Sequence, residues 1–167
     1  MSKDKKIDII KGAILLEHKG KALYESVTKT ATVEGVRTIF DMLVKEEEKH
    51  IQILTEQYSN LLRGQEIDSS DLEKEDGTVT AAVLSDDVVK DIFGAGYEAA
   101  VISAALELEK KAVAYYSESA EKADSEGEEN LYRWLAKWEK THMMMLSRID
   151  SEIRERIWYD NQFWPLD

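Results

Sequence analysis

Two segments of this chain pair a carboxylate with an imidazole three residues further on: Glu47 with His50, and Glu139 with His142. Residues three apart on a helix project from one face. In both segments that face is otherwise apolar, with Val36, Phe40, Leu43, Ile51, Leu54 and Leu61 around the first pair and Tyr132, Leu135, Leu146 and Ile149 around the second. Two further acids interrupt stripes of small and apolar residues. Glu17 falls among Ile10, Ala13, Gly20 and Tyr24, and Glu109 among Ile102, Ala105, Ala112 and Tyr116. Charged groups set into a core need partners, because an unpaired buried charge is costly. Four carboxylates and two imidazoles aimed at one interior can be balanced by two divalent cations, so the chemistry these residue types offer is metal binding.

The elements that position these residues form an internal repeat. The two Glu-x-x-His pairs are offset by 139 − 47 = 92 positions, and the same offset carries Ala13, Leu16, Glu17, Lys19, Ala22 and Tyr24 onto Ala105, Leu108, Glu109, Lys111, Ala114 and Tyr116. Glu34 and Gly35 fall on Glu126 and Gly127 without a gap. A two-helix unit used twice predicts an all-α four-helix bundle in a single domain. The first unit covers about 5–64, with helices over about 5–28 and 34–62 and a stop at Arg63-Gly64. A crossover at 65–96 follows, with turn signals at Ser69-Ser70-Asp71 and Asp76-Gly77 and a short helix from about 85 to 93. The second unit covers about 97–158, with helices over about 97–122 and from after Glu129 to Trp158. A long connection is what parallel second and third helices require. The last residues, 159–167, hold Phe163, Trp164 and the single proline, and are expected to pack on the bundle or on a second subunit.

Composition narrows the partners. The chain has 167 residues, a net charge of −12 and no cysteine. That acidity argues against nucleic acid and against an anionic membrane surface. The missing cysteines exclude disulfides, thiolate metal sites and iron–sulfur clusters, and fit a cytoplasmic location. No span of membrane length is expected, since Asp8, Lys11 and Gly12 break the apolar run near the N-terminus. Oxygen and nitrogen donors without thiolate suit iron or manganese.

Glu-x-x-His from each of two helices, with one Glu from each of the other two, is the ligand pattern of ferritin-like di-iron carboxylate proteins. Leu16-Glu17-His18-Lys19-Gly20 leading to Tyr24, and Leu108-Glu109-Lys110-Lys111-Ala112 leading to Tyr116, resemble the helix-one and helix-three signatures of the rubrerythrin branch. The resemblance spans roughly residues 9–154. It implies a ferritin-like bundle with Glu17, Glu47, His50, Glu109, Glu139 and His142 as ligands of two iron ions per chain, or of two manganese ions. Tyr24 and Tyr116 would then be hydrogen-bonded to ligand carboxylates. Rubrerythrins proper carry a cysteine-ligated rubredoxin domain, which this chain lacks, so electrons would come from an external donor protein. The family's third helix also bears a second Glu where this chain has Ala112, which leads us to expect a more symmetric site.

The activity so implied is reduction of hydrogen peroxide by a homodimer. The alternatives are a ferroxidase that handles iron with dioxygen, and a bundle in which metal only holds the fold. His18, Glu46, Glu48 and Glu107 are expected on solvated faces, and Trp134 and Trp138 at helix–helix contacts. Of Met143, Met144 and Met145, only Met143 is expected near the ligand stripe.

Overall fold

A computed structural model of the chain describes residues 2–32, 34–70, 72 and 96–161, with side chains omitted at 96–99, 152, 153 and 156–161. The short helix expected at 85–93 and the aromatic segment ending at Asp167 lie outside the described residues, apart from the backbone of 159–161.

Four α-helices make up the described structure: α1 (Lys3–Thr30), α2 (Glu34–Leu62), α3 (Gly96–Glu121) and α4 (Glu126–Asn161). The first helix pair begins and ends for local reasons. Ser2 caps α1 by accepting a hydrogen bond from the Lys5 amide. At the other end of the first pair, Gly64 takes a φ of +80°, the left-handed conformation that favours glycine. Its amide and that of Gln65 then bond back to the Leu61 and Asn60 carbonyls, which closes α2 with a Schellman motif.

The pairs run antiparallel. Lys3 Nζ reaches the Leu62 carbonyl at 3.3 Å across α1 and α2, and Ser103 Oγ meets Asp150 Oδ1 at 3.1 Å across α3 and α4. Tyr115 on α3 donates to the Ile9 carbonyl at 2.8 Å, which sets α1 against α3, the third extensive contact between helices. All ten residues expected to face inward on α1 and α3 are buried. They divide with the rest of the interior into two apolar clusters. One is built on Tyr24, Phe40, Leu43, Ile102, Leu146 and Ile149, the other on Ile10, Leu54, Tyr116, Leu131, Tyr132 and Leu135.

The fourth helix starts earlier than the turn signals predict, at Glu126 rather than after Glu129. Ser125 Oγ accepts from the Glu128 amide at 3.3 Å, and Glu128 reaches back to the Asp124 amide at 3.4 Å, an arrangement close to a capping box. Glu128 is fully buried and is paired with Lys6 Nζ at 3.0 Å, which ties the start of α4 to α1. Gly127 belongs to this first turn because the crossover presses on it. A Cβ there would lie 2.3 Å from the Ile67 carbonyl oxygen. That oxygen is backbone, and its segment is pinned: Ile67 is buried, and the Asp68 amide donates to Gln57 Oε1 at 2.9 Å. Gly127→Ala is therefore expected to destabilise the protein by about 1–3 kcal/mol. Thermal melting would register this as a fall of about 2–4 °C per kcal/mol for a chain of this size.

The methionine run is divided between core and surface. Met145 is the buried member, packed with Leu146 and Ile149, while Met143 is half-buried and Met144 is 63% exposed. Three consecutive helical residues turn through about 200°, so only one of them can face the core fully.

Candidate metal centre

Glu17, Glu47, His50, Glu109, Glu139 and His142 meet inside the bundle, each no more than 2% exposed. The helices place them there by periodicity alone, one inward turn from each of the four. The six fall into two groups that share two members: Glu17, Glu47, His50 and Glu139 form one, and Glu47, Glu109, Glu139 and His142 form the other.

The oxygen atoms show how the sharing works. His50 Nδ1 faces Glu139 Oε1 at 2.9 Å, Glu17 Oε2 at 3.2 Å and Glu47 Oε2 at 3.7 Å. His142 Nδ1 faces Glu139 Oε2 at 3.3 Å, Glu109 Oε1 at 3.4 Å and Glu47 Oε1 at 3.8 Å. Glu47 and Glu139 thus each give one oxygen to either group, while Glu17 and Glu109 serve one group each. Donors about 2.1 Å from a common octahedral ion lie about 3 Å apart, so both sets of spacings suit a cation near their centre.

Hydrogen bonding points the same way. Glu47 Oε2, Glu139 Oε1 and His142 Nδ1 are buried, and although charged partners lie close to each, none makes a well-aligned hydrogen bond among the described residues. Buried polar atoms are normally satisfied; these three belong to the two shared carboxylates and to His142, and His50 Nε2 is orphaned beside them. Such buried Glu and His groups could hold a metal ion, and every donor on offer is oxygen or nitrogen.

Crowding also perturbs the protonation of these groups. Burial, with the Glu139 and Glu17 carboxylates beside it, pushes Glu47 well above the usual carboxylate range. Burial and Glu139 raise Glu109 to about 8, against an opposing pull from His142. Burial works against a charged His50, but Glu139 and Glu17 outweigh it and raise the ring to about 10. His142 is raised in the same way, with Glu109 and Glu139 overcoming its burial. Glu139 also resists burial, and the two imidazoles hold it well below the ordinary carboxylate value. Without a cation, the cluster compensates its charge with protons.

Two phenols brace the terminal acids across the repeat. Tyr24 on α1 donates to Glu109 Oε1 on α3, and Tyr116 on α3 donates to Glu17 Oε1 on α1. Both hydroxyls are fully buried; burial and the neighbouring carboxylates push them well above the ordinary tyrosine value, so they remain donors. A Cβ at Gly20 would lie 3.4 Å from Glu47 Oε1, in ordinary van der Waals contact. Beside it, Leu16, Leu108 and Ala112 join the four carboxylates around a cavity of about 10 Å³.

Three residues with a part in the site were not expected there. Glu46, placed by the sequence on the solvated side of α2, reaches His142 Nε2 at 2.5 Å with its side chain only 12% exposed. Burial opposes its charge, but His142 overcomes that and lowers it. Trp138, expected as a helix-packing residue, sets its ring 5.6 Å from that of His50, as does Trp134. The offset of 92 carries Glu46 onto Trp138, so the repeat does not hold at this pair of positions. His18, Glu48 and Glu107 are exposed as expected.

Among the described residues no helix is long and apolar enough to cross a membrane. Comparison with family models, curated proteins and solved structures finds no match to this chain.

Proposed function

We propose that the chain is a dinuclear metalloprotein of rubrerythrin type that reduces hydrogen peroxide with electrons from an external donor. The observation that carries the reading is the division of the Glu47 and Glu139 oxygens between two imidazole-centred groups. Glu47 and Glu139 would bridge two ions, with Glu17 and His50 completing one position and Glu109 and His142 the other. A bound iron pair would supply the two electrons that peroxide needs, one from each ion, and would act as a Lewis acid toward the departing oxygen.

The remaining work falls to the chain. The two apolar clusters lie on either side of the site and exclude bulk water, which strengthens every electrostatic contact inside. Tyr24 and Tyr116 hold the terminal carboxylates in orientation. The cavity beside Gly20 and Ala112 has about the volume of one water probe, so only a very small ligand can reach the carboxylates from that side. No cysteine is available to store electrons within the chain, so an outside donor must restore both after each turnover.

Replacing Tyr24 and Tyr116 together by Phe is expected to weaken metal binding about 10–100-fold, the usual cost of losing the partners that orient ligands. Competition with a chelator of known affinity measures this, and unchanged circular dichroism would separate it from unfolding.

The reading itself is tested without oxygen. The protein is loaded with Fe(II), its metal content is counted, and it is mixed with peroxide or with dioxygen. Two irons per chain oxidised much faster by peroxide is the expected result. Faster oxidation by dioxygen, continuing beyond two irons per chain, would replace peroxide reduction with iron handling. Refusal of both iron and manganese would leave a bundle held by its own protons.

A further inference from the structure

The two groups have the same ligand types but different backing. Behind His142, the Glu46 carboxylate lies 2.5 Å from Nε2. That contact keeps a proton on Nε2 and leaves Nδ1 as the nitrogen that faces Glu47, Glu109 and Glu139. Behind His50, the corresponding Nε2 is buried with no hydrogen-bond partner among the described residues. The Trp134 and Trp138 indoles pack against this ring, their planes at 78° and 88° to the imidazole. The repeat makes the contrast positional: Trp138 answers to Glu46, and Trp134 to Met42.

A carboxylate on the remote N–H locks a ligating imidazole in orientation and strengthens its other nitrogen as a donor. His50 can ligate through Nδ1 only by keeping a proton on an Nε2 that has lost water and gained no acceptor. Glu46 also brings one more negative charge to the site; it acts on both imidazoles, and more strongly on His142 than on His50.

We propose that the two metal positions are unequal, that the position of His142 and Glu109 fills first, and that Glu46 is the positioning residue that sets the order. This inference rests on the dinuclear reading above. The second ion then enters at His50 and Glu17, where the aromatic wall supplies no acceptor.

Mn(II) alone is a suitable probe, because an isolated ion and a coupled pair give different electron paramagnetic resonance spectra. Anaerobic titration of the full chain should show two affinity classes at least tenfold apart, with isolated-ion signal up to one equivalent and coupled signal only beyond it. Glu46→Ala should weaken the tight class about 10–100-fold and merge it with the weak one. Glu46→Gln, which keeps an acceptor, should restore part of the difference. His50→Ala should retain the tight class, and His142→Ala should lose it. Equal affinities in the unaltered protein, or an undiminished difference in Glu46→Ala, would overturn the ordering and leave the dinuclear centre standing. Failure of the unaltered chain to bind any Mn(II) would overturn the centre and the ordering together.

Discussion

Changing Glu47 and Glu139 together to alanine should strip both metal ions from the chain and leave it helical. Each of these carboxylates gives one oxygen to either imidazole group, so the pair takes part in both positions at once. Glu17 faces only the His50 group, and Glu17→Ala should cost one ion rather than two. Metal content per chain, counted alongside far-ultraviolet circular dichroism, separates the two results. The helices themselves depend on the apolar clusters above and below the site, which neither change touches. Two ions retained by the double variant would refute the assignment of Glu47 and Glu139 as bridges.

Metal binding should tighten steeply as pH rises, by about a hundredfold per unit below pH 8 for the pair of ions. The factor follows from at least two protons displaced, each contributing about tenfold per pH unit. In the metal-free protein Glu109 holds its proton up to about 8 and His50 up to about 10, and both must lose it to act as ligands. The dependence should lessen above about 8, where Glu109 gives up its proton without help from a metal. Folding stability of the metal-free chain should move in the opposite direction. Both groups bind protons more tightly folded than unfolded, so the stabilisation they give is full below their ordinary values of 4.5 and 6.5. It is lost as pH climbs through about 8 and about 10. Glu139 and Glu46 are depressed, so their stabilisation is present above the ordinary carboxylate value and is lost in acid. Calorimetric titration in buffers of different ionisation enthalpy counts the protons released. Melting with and without metal tests the opposed slopes. Affinity independent of pH between 6 and 8 would contradict the protonated cluster.

The six clustered residues were legible in the sequence because each lies on a helical stripe and each has a counterpart 92 positions away. Periodicity and repetition are properties of the chain itself, and they require no knowledge of which helix packs against which. Glu46 escaped for the complementary reason. It sits about 100° around α2 from Glu47, off the stripe, and its partner His142 belongs to α4. Only the packing of α2 against α4 brings the two together. The one available hint was the mismatch of Glu46 with Trp138 inside an otherwise well-matched repeat. The start of α4 shows a different limit. Asp124, Ser125 and Gly127 spell a turn, and they do cap a helix, but Gly127 is small because of the Ile67 carbonyl, some sixty residues earlier. Local residue chemistry signals that a boundary exists, while a distant contact decides where it falls.

The crossed bonds from Tyr24 to Glu109 and from Tyr116 to Glu17 have an evolutionary consequence. Each half of the chain supplies the brace for the other half's acid, so one helix pair alone cannot assemble a finished centre. An ancestral unit of half this length would have needed an identical copy, facing it across a true two-fold axis. In such an ancestor every substitution appears on both sides at once. Fusing the copies into one gene removes that constraint, because each half then mutates alone. A carboxylate at Glu46 and an indole at Trp138 are a divergence open to the fused chain and closed to its symmetric forerunner.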